Sequence, residues 1–357
     1  MVGWRGLLPW LALWALSTGS SGAYKVEKYS IAMPNVKPAS EELYLCTPIK
    51  IDHQKSYFIV GFEPNATMHT AHHMLLFGCS SPGSKLPVWN CGEMSRATTG
   101  DMPSASPCGS GTQIIYAWAL DAPKLELPDE VGFQVGQNSN IDYLVLQVHY
   151  HLSPEKGIVQ RKKYNLKYIN FHFVVGQPDS SGLLLHFTER PLTKLAGVYL
   201  LGTSGSIAPH ATEHMETSCQ IEEDKVIHPF AYRTHTHKLG KVVAGYKVSV
   251  DKNGINQWTL LGKRNPMTPQ MFYPIENEVA IQKGDTLAAR CTMVSDRDDY
   301  TKIGMTFNDE MCNFYLMYYV ENGKPLSSKY CFTPGPPSYY WNLAGLNNIP
   351  DREASLL

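Results

Sequence analysis

The chain has 357 residues, of which 43% are hydrophobic and 18% charged, so it can bury a core and is not disordered by composition. Lys and Arg total 31 against 32 Asp and Glu, and this balance argues against a nucleic-acid partner or a polybasic membrane-surface protein. The 28 Gly, 24 Pro and 20 Tyr favour many short strands and turns over a helical bundle.

Residues 1–23 have the layout of a secretory signal peptide. Arg5 supplies a positive charge, an apolar segment follows over 7–16, and small residues lead to a cut after Ala23. A membrane anchor is the alternative, but this segment is much shorter than the ~20 residues that span a bilayer, and no later segment reaches that length. We therefore expect no membrane span and a secreted or secretory-granule location. The sequon that begins at Asn65 predicts glycosylation there.

Segments typical of β-strands recur along the chain, separated by clusters of Gly, Pro, Asn and Ser. No window has a sustained 3.6-residue period, so helices should be few and short. An all-β fold built from a pair of antiparallel β-sandwiches is therefore predicted. The predicted strands are 57–62, 113–118, 143–152, 183–187, 241–250, 257–261, 286–294 and 312–320.

The eight cysteines are an even number, which in an oxidising compartment indicates disulfides. Four lie before residue 110 and four after residue 215, so two closed sets would give two domains with two bridges each. A thiolate metal site is the alternative, but the chain has no Cys-x-x-Cys pair. We expect domains over 24–192 and 193–335, a long polar loop over 93–107, and a flexible tail over 336–357.

Histidines occur on or beside two predicted strands of the first domain. In 141–152, Gln147 and His149 share the side opposite the apolar residues, so His149 points away from the core of its own sheet. His72 and His73 would point to opposite sides of a regular strand, and they can bind one metal only at a strand end or a bulge. His72, His73 and His149 would then form an all-imidazole site for copper or zinc.

In the second domain, the segment 232–237 alternates in a way that places Arg233, His235 and His237 on one side of a strand. Two imidazoles at i and i+2 can bind one metal ion without a bend in the backbone. By itself the pattern also fits a polar, solvent-facing strand edge, and that alternative stays open.

Met311, Asn313, Tyr315 and Met317 lie on one side of a later predicted strand. A Met in such a place is commonly core filler, and Met311 is a ligand candidate only if it faces the two histidines of the preceding segment. Two imidazoles and a thioether would suit copper, because a soft thioether favours Cu(I).

Four motifs together resemble the type II, ascorbate-dependent copper monooxygenases. In chain order they are His72-His73-Met74-Leu75-Leu76-Phe77-Gly78-Cys79, Gln147-Val148-His149-Tyr150, His235-Thr236-His237 and Glu310-Met311-Cys312. The resemblance runs from about 44 to 331 and is strongest to the members that hydroxylate peptidylglycine. Those members also have an Arg before the His-x-His and an Asn-x-Tyr after the Met-Cys, where this chain has Arg233, Asn313 and Tyr315.

The resemblance implies two copper ions, with O2 as co-substrate and ascorbate as reductant. One copper, which stores and delivers an electron, would be held by His72, His73 and His149. The other, at which O2 is activated and hydrogen is taken from the substrate, would be held by His235, His237 and Met311. Gln147 is expected to line the gap between them, and a surface polar residue is the alternative for Gln147.

The substrate implied by the resemblance is a glycine-extended peptide whose C-terminal carboxylate is held by Arg233, Asn313 and Tyr315. Hydroxylation at the glycine Cα is the first step of C-terminal amidation. No second catalytic region follows Cys331, so the lyase that acts on the product is expected to be a separate protein. Two jelly-roll-like domains are also implied, with the bridges Cys46–Cys91, Cys79–Cys108, Cys219–Cys331 and Cys291–Cys312.

Two other functions remain possible on the sequence. A secreted copper-binding or copper-delivery protein would account for the metal ligands but not for Arg233, Asn313 and Tyr315. A monooxygenase of small amines would use the same coppers without any need for a carboxylate-binding group.

Overall fold

The computed structural model describes residues 24–38, 42–67, 70–92, 104–119, 121–151, 178–304 and 308–357, except for the side chains of Glu42 and His151. The predicted signal peptide and most of the predicted polar loop lie outside these residues. Among the helices of the described ranges, none has the length and apolar character needed to cross a membrane.

The described residues before 190, here called the first half, form twelve strands. They are β1 (Glu27–Ala32), β2 (Glu42–Lys50), β3 (Ser56–Asn65), β4 (His73–Cys79), β5 (Ser81–Pro82), β6 (Trp89–Asn90), β7 (Cys108–Ser110), β8 (Gln113–Ala119), β9 (Leu125–Glu126), β10 (Val131–Gly136), β11 (Tyr143–His151) and β12 (Gly182–Thr188).

The described residues from 194 onward, here called the second half, form eleven strands and one short helix. They are β13 (Lys194–Thr203), β14 (Ser206–Ile207), β15 (Thr212–Gln220), β16 (His228–His235), β17 (Gly240–Val250), β18 (Asn256–Arg264), β19 (Tyr273–Pro274), β20 (Thr286–Val294), β21 (Thr301–Lys302), β22 (Asn313–Glu321), β23 (Tyr330–Thr333) and α1 (Asp351–Ser355). The predicted all-β fold with few helices is confirmed.

Three sheets carry most of the fold. A five-stranded sheet has the order β6-β2-β11-β4-β8, and a four-stranded sheet has the order β15-β20-β17-β18. A ten-stranded sheet runs through both halves in the order β1-β12-β3-β10-β13-β22-β16-β19, with β9 and β23 attached at its sides. The two halves join where β10 pairs with β13 in a short parallel ladder. The domain boundaries predicted from the cysteines remain a prediction.

The side chains on the two faces of β22 pack in different hydrophobic cores. Tyr315 and Met317 pack in the core cluster of the first half, whereas Phe314 and Leu316 pack in that of the second half. The split follows from the two-residue period of a strand. Because Arg233 is opposite Tyr315 in the ladder between β16 and β22, the surface that carries both residues is turned toward the first half.

The structure has four disulfides, Cys46–Cys91, Cys79–Cys108, Cys219–Cys331 and Cys291–Cys312. They are the pairs that the resemblance implies, and each joins residues of the same half. Each should stabilise the fold by ~2–4 kcal/mol. The last bridge ties the residue after Met311 to the centre of β20, which restrains the start of β22.

The predicted flexible tail is instead packed against the second half. Trp341 is 0% exposed, donates from its indole nitrogen to the Thr217 carbonyl oxygen at 3.0 Å, and lies 4.8 Å from the ring of Trp258. The Asp351 carboxylate pairs with the Arg290 guanidinium at 2.7 Å. Pro and Gly correctly indicate irregular backbone here, but the buried Trp341 and the Asp351–Arg290 pair hold the segment in place.

Candidate metal centres

Three imidazoles of the first half converge at the end of the five-stranded sheet. β4 begins at His73, which is opposite His149 in β11, and the backbone N–H of His72 donates to the His149 carbonyl oxygen at 2.8 Å. The Nδ1 atom of His73 lies 3.2 Å from Nδ1 of His149 and 3.3 Å from Nδ1 of His72. The pair His72-His73 thus sits at a strand end, and one ligand nitrogen from each of the three rings lies within 4.8 Å of the others.

Tyr44 supports this cluster, and the sequence patterns did not reveal it. Tyr44 is opposite His149 in the ladder between β2 and β11. Its ring stacks on the His149 imidazole, with the ring centres 4.0 Å apart and an angle of 5° between the planes. Such stacking restricts rotation of the imidazole and so holds its nitrogens in the direction that a shared metal ion would need.

The cluster faces charged and polar groups of the second half. Burial, followed by His149 and His72, lowers the pKa of His73 well below its ordinary value, and His235 and Arg233 lower it further. The neutral imidazole is the form that binds a metal. Because groups from both halves act on His73, the two sets of predicted ligands lie within electrostatic reach of each other.

The second pair of imidazoles is oriented by hydrogen bonds. His235 ends β16, and its Nδ1 donates to Oε1 of Gln270 at 2.6 Å. Nδ1 of His237 donates to the backbone oxygen of Asp309 at 3.0 Å, and the two rings are 5.5 Å apart. Both partners are carbonyl oxygens, which can only accept, so each Nδ1 carries the proton. The Nε2 atoms are therefore the nitrogens available to a metal ion.

Met311 lies just before β22 and is only partly buried, unlike the fully buried Met317 within β22. Asn313 is opposite His235 in the ladder, and its Nδ2 lies 3.7 Å from Sδ of Met311. The thioether is therefore at the strand end that carries His235. Met317 is therefore a core residue, whereas Met311 is not.

Glu310 joins the two segments that carry these ligands. Its side chain is 0% exposed, and its carboxylate accepts hydrogen bonds from the backbone N–H groups of His237, of Leu239 at 2.7 Å and of Met311 at 3.0 Å. A buried carboxylate needs such donors. The bonds fix the spacing between the His-x-His segment and the methionine.

Arg233 is a buried cation with neutral partners. It is 3% exposed, its Nε donates to the backbone oxygen of Gln270 at 2.8 Å, and its guanidinium carbon lies 5.0 Å from the centre of the Tyr315 ring. Among the described residues, Arg233 forms no ion pair with a carboxylate. Since an unpaired buried charge is costly, this arrangement suits an anionic ligand.

Tyr315 and Asn313 complete a group of three side chains around this cation, and we call Arg233, Asn313 and Tyr315 the clamp. Burial raises the pKa of Tyr315, while Arg233 and a hydrogen bond with Asn313 oppose the rise. All three residues are buried, and the structure brings them together as the sequence predicts.

Gln270 connects the clamp to the metal ligands, and no sequence pattern pointed to it. Its Oε1 accepts from Nδ1 of His235 at 2.6 Å and from Nη2 of Arg233 at 3.3 Å. Its Nε2 donates to the backbone oxygens of Thr236 and Pro266 at 3.1 Å and 3.0 Å. One amide thus orients an imidazole and a guanidinium together.

Gln147 is not the surface residue of the alternative prediction, because it is 1% exposed. β11 is central in its sheet and buried on both faces, so the face with Gln147 and His149 is covered as well. The Gln147 amide donates to the Gly92 carbonyl oxygen at 2.8 Å and lies 3.4 Å from Sγ of Cys91. These contacts are all within the first half, and a catalytic role for Gln147 stays a prediction.

Comparison with known proteins places both halves in one family. Residues 29–156 match the model of the N-terminal domain of copper type II ascorbate-dependent monooxygenases, and residues 194–344 match the model of the C-terminal domain.

Curated relatives include the peptidylglycine alpha-amidating monooxygenase of Rattus norvegicus, 39% identical over 90% of this chain and 30% of its own length. Peptidyl-glycine alpha-amidating monooxygenase A of Xenopus laevis is 37% identical over 94% of this chain and 32% of its own length. Dopamine beta-hydroxylase of Homo sapiens is 26% identical over 81% of this chain and 45% of its own length. The chain thus spans about a third of the length of the first relatives it matches.

Proposed function

The chain belongs to the copper type II, ascorbate-dependent monooxygenases, and from this premise we propose that it hydroxylates the Cα of the C-terminal glycine of peptides. The observation that carries the proposal is the buried Arg233, which lacks a carboxylate partner among the described residues and shares Gln270 with His235. A cation in that position binds a carboxylate next to a metal ligand.

Both donor sets fit copper. His72, His73 and His149 offer three imidazole nitrogens, which suit copper in either oxidation state of its cycle. His235 and His237 offer two Nε2 atoms, and the Met311 thioether adds a soft donor that favours Cu(I). Copper held there would supply the redox chemistry by which one oxygen atom of O2 enters the substrate C–H bond and the other leaves as water, with two electrons from ascorbate and two protons consumed.

The residues of the clamp set the position of the peptide. Arg233 provides a charge-assisted pair to the terminal carboxylate, and Asn313 and Tyr315 add neutral donors that fix its orientation. The terminal Cα is one bond from that carboxylate, so it would lie near His235 and Met311. Glycine suits the site because its Cα carries no side chain and offers a hydrogen atom at close approach.

The compartment and the product follow from the same proposal. Four disulfides need an oxidising environment, so we place the protein outside the cell or in the lumen of secretory granules. Asn65 is exposed at the end of β3, where a glycan can be attached. The hydroxyglycine product would be consumed by a lyase that completes amidation.

The test is O2 uptake by the copper-loaded protein with ascorbate and a peptide that ends in glycine. We expect uptake that depends on the peptide and yields an α-hydroxyglycine product seen by mass spectrometry. A phenethylamine tests the amine alternative, and uptake with the amine alone would overturn the peptide assignment. Copper binding without uptake on either substrate would favour a copper-delivery protein.

A further inference from the structure

The loop after β18, residues 265–272, contacts both halves of the chain. Within the second half, Gln270 holds Arg233 and His235 as described above. The side chains of the next two residues, Met271 and Phe272, point away from the rest of the second half and pack in the core cluster of the first half. Phe272 is buried. The loop therefore carries the hydrogen-bond partner of the clamp at one position and an apolar contact with the first half two positions later.

Phe272 lies between an aromatic ring of each half. Its ring centre is 6.5 Å from that of Tyr116 in β8 and 6.5 Å from that of Tyr315 in the clamp. Tyr116 is in turn stacked on Phe62 at 4.5 Å with the planes 4° apart, which fixes it in the first half. Burial raises the pKa of Tyr116 and the nearby Arg233 opposes the rise, so this phenol also lies close to the clamp.

We propose that Phe272 is a positioning residue through which the first half of the chain holds the carboxylate clamp in its binding geometry. The proposal rests on the proposed function, because it assumes that the clamp binds a peptide carboxylate. Gln270 can orient Arg233 only if its own backbone is held. Phe272 is the first buried residue after Gln270 along the chain, and it packs in the core cluster of the first half.

A competing anchor lies in the second half. β19 begins at Tyr273 and pairs with β16, and the Tyr273 hydroxyl donates to the Pro269 carbonyl oxygen at 2.6 Å. If these contacts alone hold the loop, removal of the Phe272 ring leaves substrate binding unchanged. The two possibilities therefore predict different substrate affinities for a variant that lacks the Phe272 ring.

The experiment compares Phe272→Ala with Phe272→Leu and with the control Phe133→Ala. Phe133 is buried in the same core cluster, and its ring centre is 6.1 Å from that of Phe62. Among the ring pairs of the described residues, none joins Phe133 to Tyr315 of the clamp. Peptide binding is measured by calorimetry on the copper-loaded protein without ascorbate, which cannot turn over, and KM and kcat are measured separately. We expect Phe272→Ala to raise Kd and KM for a glycine-extended peptide about tenfold, with kcat less affected.

Four further results are expected. Phe272→Leu should recover most of the binding, Phe133→Ala should lower Tm with Kd unchanged, and a peptide capped as an amide should bind equally to wild type and Phe272→Ala. Tyr116→Leu should raise Kd by itself and add little to Phe272→Ala, because both remove the same contact.

The inference is wrong if Phe272→Ala and Phe133→Ala affect Kd alike, or if free and capped peptides lose binding equally. Those outcomes leave the proposed function intact as long as the wild-type protein hydroxylates the peptide. A wild-type protein that takes up no O2 with the peptide would instead refute the proposed function itself.

Discussion

The two candidate metal clusters hold their histidines in different ways. In the first half, the rings of His73 and His149 contact each other, and the stacked ring of Tyr44 covers one of them. In the second half, each imidazole donates from Nδ1 to its own carbonyl oxygen, and Gln270 joins His235 to Arg233. The first cluster is held by strand pairing, and the second by a hydrogen-bond network that includes the clamp.

This difference bears on the division of labour between the two coppers that the family resemblance implies. A site that only stores an electron needs donors held close together and no group that binds substrate. A site at which a C–H bond is attacked must also hold the substrate in register with the metal, which requires shared orientation of ligand and clamp. Changes in the second cluster should therefore affect substrate use, whereas changes in the first should affect metal binding and electron supply.

The largest expected effect is that of Met311→His. An imidazole keeps copper bound, but the preference of the site for Cu(I) falls, and we expect turnover to drop about a thousandfold, or ~4 kcal/mol in activation free energy. Copper content by atomic absorption and kcat by O2 uptake check this. Met317→Leu is the matched control, since this fully buried methionine in β22, the strand that follows Met311, should tolerate the change with near-normal kcat. Near-normal kcat in Met311→His would show that the thioether is not a ligand at the reactive site.

Arg233→Gln should have the next largest effect. Loss of the charge-assisted contact should cost ~1.5–3 kcal/mol, or roughly 10- to 150-fold in kcat/KM for a peptide ending in glycine, with copper content unchanged. A peptide capped as an amide should bind wild type poorly and lose little more in the variant. Equal losses for the free and capped peptides would make Arg233 a structural residue and remove the main support for a peptide substrate.

Gln270→Leu tests whether one amide serves both ligand and clamp. The change removes the acceptor of His235 Nδ1 and of Arg233 Nη2, so we expect roughly 10- to 100-fold weaker copper binding at the second cluster together with a higher KM. Gln270→Glu keeps an acceptor oxygen and should lose less metal affinity. A change in metal affinity without a change in KM would separate the two roles and contradict the shared orientation.

Tyr44→Leu should have the smallest effect, confined to the first cluster. Loss of the stacked ring should cost ~0.5–1.5 kcal/mol and weaken copper binding there by that amount, with KM for the peptide unchanged. Titration of the variant with Cu(I) checks this: the first cluster should bind more weakly, and the second cluster should bind as in wild type. A raised KM in this variant would mean that the first cluster also takes part in substrate binding.

Local patterns in the sequence indicate much of this arrangement. Strand period two puts Arg233 and His235 on one side of β16. The adjacency of His72 and His73 requires a strand end or a bulge, and the pair is found at a strand end. The predicted strands all lie on observed ones to within a few residues. These features depend on neighbours along the chain, which a sequence displays directly.

Other features depend on residues that are distant in sequence. Gln270 is 35 positions from His235, Tyr44 comes from a strand that was not predicted, and the tail is held by Trp341 and Asp351. β13, at the centre of the ten-stranded sheet, was not predicted either. The residue types of the chain thus determined an all-β fold and the identity of the candidate ligands. Only the tertiary structure decided which amide, carboxylate and aromatic ring surround them, because a hydrogen bond or a stacked pair between distant residues needs no spacing or motif in the chain.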